Sequence, residues 1–221
     1  MSKMKWDQVG ERRYETGVEQ VALFPKVEAE YPAGVAWNGV TALNITPSGA
    51  ESTKLYANDK VYVNLLSKEE IGGTIEAYMY PEEFAACDGS AEVVAGVYVG
   101  QQTRQGFGLV AKTLIGNDTK KTQYGYFLHI LYDALASVSE SAHATVNESP
   151  EAATMSWEFT TTAMEVEGFE ATSYIKIDST KVDAEKLKAL EAILYGTEED
   201  EPRLPLPAEV FTTLGFVKAE G

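Results

Sequence analysis

The segment at 72–102, GGTIEAYMYPEEFAACDGSAEVVAGVYVGQQ, constrains the fold more than any other part of the chain. From 74 to 80, Ile75, Ala77 and Met79 alternate with Thr74, Glu76 and Tyr78. A two-residue period of this kind predicts a strand with one buried face. Pro81 ends it, and residues 82–86 predict a short helical turn that opens on Glu82 and Glu83, where the helix dipole favours acids. Asp88-Gly89 turns the chain, and residues 93–99 alternate into another strand.

The same period recurs along the chain. Strands are predicted at 18–24, closed by Pro25, at 54–57 and 60–65 around Asn58-Asp59, at 107–114, and at 174–177. Residues 125–134 are apolar on both faces, as in a central strand. Residues 153–167 are the longest alternation, with Met155, Trp157 and Phe159 opposite Ser156, Glu158 and Thr160. Asn38-Gly39, between apolar runs, is either a tight hairpin turn or a bulge in one longer strand. The polar segment 44–53, with Pro47 and Ser48-Gly49, predicts a loop, and residues 45–62 together a hairpin-like projection. Residues 116–121 and 137–142 predict exposed loops.

One helix is clear. Asp183 is a good N-cap, Leu187, Leu190, Ile193 and Leu194 form one stripe, and Gly196 stops it. The acidic run 198–201 and the proline-rich 202–207 predict an extended connector, followed by a turn at 208–214. The expected fold is mainly β, sandwich or barrel-like, with a flanking helix at about 183–195. The expected organisation is an arm at 1–17, which is either an ordering arm or a frayed terminus, a β domain at 18–197 and an extension at 198–221.

With 221 residues the chain can bury a sizeable core. No apolar run approaches the roughly 20 residues that span a bilayer. The opening MSKMKWDQVGERR lacks the apolar centre of a signal peptide, so synthesis and retention in a cytoplasm are expected. The single Cys87 forms no intrachain disulfide and reads as a small buried residue.

The net charge of −16 argues against a surface that grips nucleic acid. Seven acids and no base lie between Lys68 and Arg104, and eight acids and no base between Lys121 and Lys176. The ordinary meaning is a soluble acidic surface; the sharper one is a surface that repels a passing polyanion.

No active site is assigned. A dyad of Cys87 and His129 is open to spacing, but no orienting motif surrounds either residue or His143. There is no zinc spacing and no EF-hand pattern. The glycine-rich GQQTRQGFG at 100–108 lacks the phosphate-loop pattern and leads into a strand. No catalytic, cofactor-binding or metal-binding residue is therefore expected.

The segment at 72–102, taken with GVAWNG at 34–39, GAES-KLYAND at 49–59, GQQTR-GFG at 100–108, LIGND at 114–118, ATVN-SPEA at 144–152 and LEAILYG at 190–196, resembles the major tail proteins of long-tailed bacteriophages, in particular the phi13-type branch. The resemblance runs from about residue 10 to residue 211 and rests on the order and spacing of these phrases. It implies a structural virion protein and no enzyme. Such proteins form rings, usually hexameric, from a β-sandwich with a flanking helix. The rings stack into the tube through which DNA leaves, with a tape-measure protein inside and terminating proteins at the ends. On that basis Glu76 and Glu158 are expected to face the lumen. Ser48, Gly49, Glu51 and Lys54 are expected in a loop between rings. DNA would pass without specific binding, and no membrane is involved. The other readings are a monomeric or trimeric receptor- or carbohydrate-binding β-sandwich, and a hydrolase on a β scaffold.

Overall fold

The computed structural model describes residues 3–49, 51–137, 139, 143, 145, 152–166 and 168–216. The chain is mainly β. Its strands are β1 (Arg13–Pro25), β2 (Val35–Ala36), β3 (Val40–Gly49), β4 (Ser52–Ala57), β5 (Lys60–Leu66), β6 (Glu69–Ala77), β7 (Ala91–Val94), β8 (Val97–Val99), β9 (Phe107–Asn117), β10 (Lys121–Ala136), β11 (Met155–Thr161) and β12 (Tyr174–Asp178). Its helices are α1 (Phe84–Cys87), α2 (Ala184–Tyr195) and α3 (Pro207–Thr213).

Eight strands form one antiparallel sheet in the order β2-β1-β9-β10-β11-β6-β3, with β12 also paired to β10. One edge of β10 serves two partners: β12 along Phe127 to Leu131, then β11 from Ala134 to Ala136. Between them Asp133 sits at φ 48, and the β9–β10 register slips. A bulge of this kind sharpens twist and bends a sheet. Lys26 pairs with the Asp133 carboxylate, and the Asp133 N–H donates to the Tyr31 hydroxyl, so both side chain and backbone of Asp133 are held at the irregularity.

The sheet carries a core on each face. On one face Leu23, Ile75, Phe84, Phe107, Leu109 and Trp157 pack together. On the other, α2 and α3 cover Phe24, Val110, Leu128, Ile130 and Tyr132. Strands β1, β9 and β10 are thus buried on both faces, which is why VALF at 21–24, FGLVA at 107–111 and LHILY at 128–132 are almost continuously apolar.

Asn38-Gly39 is the point at which the chain leaves one edge for another. Val35 and Ala36 pair with β1, whereas from Val40 the chain pairs with β6. Gly39 makes this turn at φ 83, where a side chain would be strained. Because β2 and β3 pair with different strands and not with each other, Asn38-Gly39 is neither a tight hairpin turn nor a bulge within one strand; the bulge lies just beyond it, between Val40 and Ala42.

Four expectations need correction. Residues 44–49 are not a loop: they continue β3, with Asn44, Thr46 and Ser48 outward and Leu43 and Ile45 against the core. Pro47 is compatible with a strand because β3 ends the sheet path, where a missing N–H costs little. Residues 13–17 are not arm, since Arg13, Tyr14, Glu15 and Thr16 pair with β9. Residues 93–99 are not one strand but the end of β7, the turn and β8 of a hairpin, where Gly96 donates its N–H to Glu92 Oε1 at 2.8 Å. Residues 202–207 are not a free connector. Leu204 is buried, and its N–H donates to the Tyr31 carbonyl.

Helix α2 agrees with its pattern. Asp183 accepts from the Glu185 and Lys186 N–H groups at 3.1 Å, and Leu187, Leu190 and Leu194 are buried. An ionic contact fixes it to the sheet. Lys112 of β9 lies 2.6 Å from Glu191, which also accepts from the Tyr126 hydroxyl at 2.8 Å. Glu191→Ala strands a nearly buried ammonium. The expected cost is about 1–3 kcal/mol, reduced from that of a fully buried pair because Glu191 is partly solvated. Urea unfolding followed by circular dichroism checks it, and a loss below the error of the fit would contradict it.

Candidate self-assembly surface

Three surface features stand out from an otherwise conventional domain. The first is the ribbon of β4 and β5. Asn58 and Asp59 both have positive φ, at 50 and 60, as a type I′ hairpin turn requires. Every residue of both strands is exposed, including Leu55, Tyr56, Val61, Tyr62, Leu65 and Leu66. Tyr62 is 79 % exposed. The ribbon is joined to the domain by a stalk, the far halves of β3 and β6, in which Ser48 opposes Glu70 and Gly49 opposes Glu69.

The second feature is the ribbon of β7 and β8, which follows α1. It too is exposed throughout, with Val93, Val94, Val97, Tyr98 and Val99 open. A two-stranded ribbon is marginally stable at best in water. Contiguous exposed apolar surface marks an interaction site. Both ribbons are therefore candidate interaction surfaces.

The third feature is a polar sheet face. Ser156 opposes Glu76, and Glu158 opposes Thr74, which in turn opposes Asn44. Residues directly opposed in an antiparallel pair share a face, so Glu76 and Glu158 lie together, diagonally placed. Ile75, Trp157 and Phe159 take the opposite, buried face. Thr46, Ser48, Glu70 and Thr160 extend the polar face.

The structure thus places the residues expected from sequence as two groups. Glu76 and Glu158 share one face. Ser48 and Gly49 sit in the stalk, Glu51 at the base of the ribbon and Lys54 within β4. Glu51 and Ser67 close the base: the Ser67 N–H donates to the Glu51 carbonyl, and the Glu51 N–H donates to Ser67 Oγ at 2.9 Å. The apolar residues of β5 and the whole β7–β8 ribbon were not among the expected site residues. Their sequence signal, apolar alternation, is the same one that marks buried strands.

Cys87 and His129 do not form a dyad. The buried Cys87 has its thiol against the Glu83 carbonyl, and burial, with the Asp88 charge, pushes it up to about 12. His129 engages Tyr174 Oη at 2.7 Å through Nδ1 and Thr113 Oγ1 at 2.8 Å through Nε2. Burial and then the Lys176 charge lower its pKa, against the opposing pull of Glu15. A histidine with a folded pKa below its unfolded value of about 6.5 binds fewer protons when folded. Its contribution is complete above that unfolded value and is lost as pH falls from there toward the folded pKa. The difference in urea midpoint between wild type and His129→Gln is expected to shrink as pH is lowered through this window. A difference constant with pH would contradict this.

Among the described residues, no group of three or more His, Cys, Asp or Glu is placed to hold a metal ion, and no helix is long and apolar enough to cross a membrane. No model of a known protein family matches the chain, and no curated protein matches it in sequence.

Proposed function

We propose that the protein is a structural subunit of a bacteriophage tail that polymerises into stacked rings, forming the tube through which DNA is ejected. The observation that carries this reading is the pair of fully exposed apolar ribbons on a domain whose two cores are already complete. A monomer gains nothing from them, whereas a polymer buries them at every step. The resemblance in sequence supplies the kind of polymer.

Two further features support it. The β3–β6–β11 face carries Glu70, Glu76 and Glu158 among small polar side chains, with no Lys or Arg on β6 or β11. Such a face lining a channel offers phosphates no counterion-releasing contact. Among the described residues, the outer edge of β3, and that of β1 beyond its two-residue pairing with β2, have no strand partner, and a ring of subunits would close them. In this reading the copies are one another's principal partners, a tape-measure protein fills the lumen before ejection, terminating proteins cap the ends, and the site of action is the virion.

Sedimentation with duplex DNA tests the reading. Wild-type polymer is expected to pellet and leave the DNA in the supernatant. Polymer of the E76K/E158K variant is expected to carry DNA into the pellet at low salt and release it as salt rises. Wild-type protein that remains in the supernatant contradicts assembly. Wild-type polymer that retains DNA as the variant does contradicts the conduit.

A further inference from the structure

Charge is divided unevenly between the two ends of the central strands. At one end β1, β9 and β10 meet beside the turn at 118–120, where Arg13 opposes Asn117 and Asn117 opposes Lys121. Residues 6–12 are tied over this turn. The Gly10 N–H donates to the Asp118 carboxylate, Asn117 Nδ2 donates to the Gly10 carbonyl, and Arg12 Nε donates to the Asp7 carbonyl. Lys3, Lys5, Arg12, Arg13, Lys120 and Lys121 are all exposed here. Arg13 and Lys120 lie against the same ring, 4.7 and 5.8 Å from the centre of Tyr124. With Asp7, Glu11 and Asp118 counted, residues 3–13 and 117–124 hold six bases and three acids, a net charge of +3.

The other end has the opposite sign. Val27 and Glu30 exchange backbone hydrogen bonds in the turn after β1, and the Leu204 N–H, donated to the Tyr31 carbonyl, brings residues 197–203 alongside it. Glu28, Glu30 and the four acids at 198–201 are exposed. The two bases at this end are already engaged, Lys26 by Asp133 and Arg203 by Glu209. Residues 26–31 and 197–203 hold six acids and two bases, a net charge of −4. Among the described residues, none of the six bases at the first end and none of the six acids at the second is in an ion pair. Apolar features divide in the same way. Met4, Val9 and Trp6, which is 73 % exposed, stand open at the basic end. Beside the acidic turn a cavity of about 590 Å³ is lined by Ala22, Trp37 and Leu194, and by Tyr195 and Pro202, which flank the turn. From Arg13 to Ala22 along β1 is about 30 Å, so the two ends do not meet within one chain.

We infer that the basic end of one copy seats on the acidic end of a second copy, with Lys3, Lys5 and Lys120 beside the acids at 198–201 and Trp6 in the cavity that adjoins them. This rests on the assembly reading and adds to it two surfaces that meet. At each end the charged groups and the apolar feature lie together, so one docking satisfies both. Burial of the indole supplies attraction, and opposite charge orients the approach and penalises the meeting of like ends. The contact is heterologous: each copy offers one end and receives at the other, so a single contact leaves one end of each sign free. Such contacts close into rings or extend into filaments, but do not stop at a dimer. A chain with net charge −16 that joins through its basic end also avoids setting acidic surfaces against each other.

The test uses three full-length variants. Lys3→Glu/Lys5→Glu/Lys120→Glu makes both ends acidic, Glu198→Lys/Glu199→Lys/Glu201→Lys makes both ends basic, and the sixfold variant exchanges the two signs. All six positions are exposed, so circular dichroism spectra and melting like those of wild type are expected. In light scattering each triple variant alone is expected to need a concentration at least about tenfold above that at which wild type grows. The two triple variants mixed in equal amounts, and the sixfold variant alone, are expected to grow as wild type does. Net charge by itself predicts otherwise: the second triple variant is less charged than wild type, and would grow more readily if overall repulsion governed growth. In a second measurement, acrylamide quenching of tryptophan emission is expected to fall as wild type grows, because Trp37 and Trp157 are already buried and Trp6 is open. Growth of either triple variant at wild-type concentrations overturns this pairing and leaves the tube reading standing. So does a mixture or a sixfold variant that fails to grow, or quenching unchanged by growth. Wild-type protein that never grows overturns both.

Discussion

A chain in which residues 52–66 are replaced by a two-residue Asn-Gly turn is expected to fold as wild type does and to form no polymer. The excision is conservative because its ends already meet: Glu51 and Ser67 exchange two hydrogen bonds at the base of the ribbon. Asn-Gly closes an antiparallel pair of this kind without strain. No side chain of β4 or β5 contributes to either core. The thermal midpoint is therefore expected within a few degrees of wild type, a shift of about 1 kcal/mol or less. The effect on assembly, by contrast, is expected to be all-or-none. Removing Ser48 to Lys54 alone would be a poorer experiment than the sequence suggests, because Ser48 and Gly49 belong to the β3–β6 ladder. Light scattering at concentrations where wild type polymerises is the measurement; scattering equal to wild type would refute a role for the ribbon.

Trp157→Ala is expected to produce the largest loss of stability. The indole is 4 % exposed at the centre of the first core. Its ring lies 5.3 Å from Phe84, 5.6 Å from Trp37 and 5.6 Å from Tyr80, all in edge-on arrangements. Trp37 is fixed in turn by its Nε1–H, which donates to the Met79 carbonyl at 2.8 Å. Neighbours so constrained cannot collapse into the space left, so the cavity term adds to the lost transfer energy. The expected cost is about 3–5 kcal/mol. For a domain of this size that is a fall in thermal midpoint of roughly 10 °C. Phe84 belongs to α1, which carries the chain into the β7–β8 ribbon, so assembly is expected to weaken as well. Urea unfolding by circular dichroism measures the effect; a change below about 1 kcal/mol would contradict the packing described.

The architecture was largely legible in the sequence, the surfaces only partly. Alternation around Ile75 and Trp157 located β6 and β11, because one face of each is core and the other polar. The Asp183 cap and the leucine stripe located α2, because capping and periodicity are local. Polar residues and Pro47 hid the outer half of β3, since an edge strand tolerates what an interior strand excludes. The two-residue period ran unbroken through Gly96, so the β7–β8 hairpin read as a single strand.

The site shows where local patterns stop. Glu76 and Glu158 share a face through the register of two strands about 80 residues apart, and alternation supports that once each strand is known to be half-buried. Leu55, Val63 and Val97 were a different matter. Apolar alternation predicts a buried face whether burial comes from the same chain or from another copy. Only the lack of a covering element among the described residues distinguishes the two, and that is a tertiary property. The C-terminal segment erred in the opposite direction, since acids and prolines at 198–207 outweighed Leu204, which seals the second core against Tyr31.

The central claim is that this domain is made to polymerise around a channel. Negative-stain electron microscopy of the purified wild-type chain tests it most directly. The account predicts tubes, or stacked rings, with a stain-filled central hole. A field of dispersed single domains, unchanged as concentration and ionic strength rise, would contradict it.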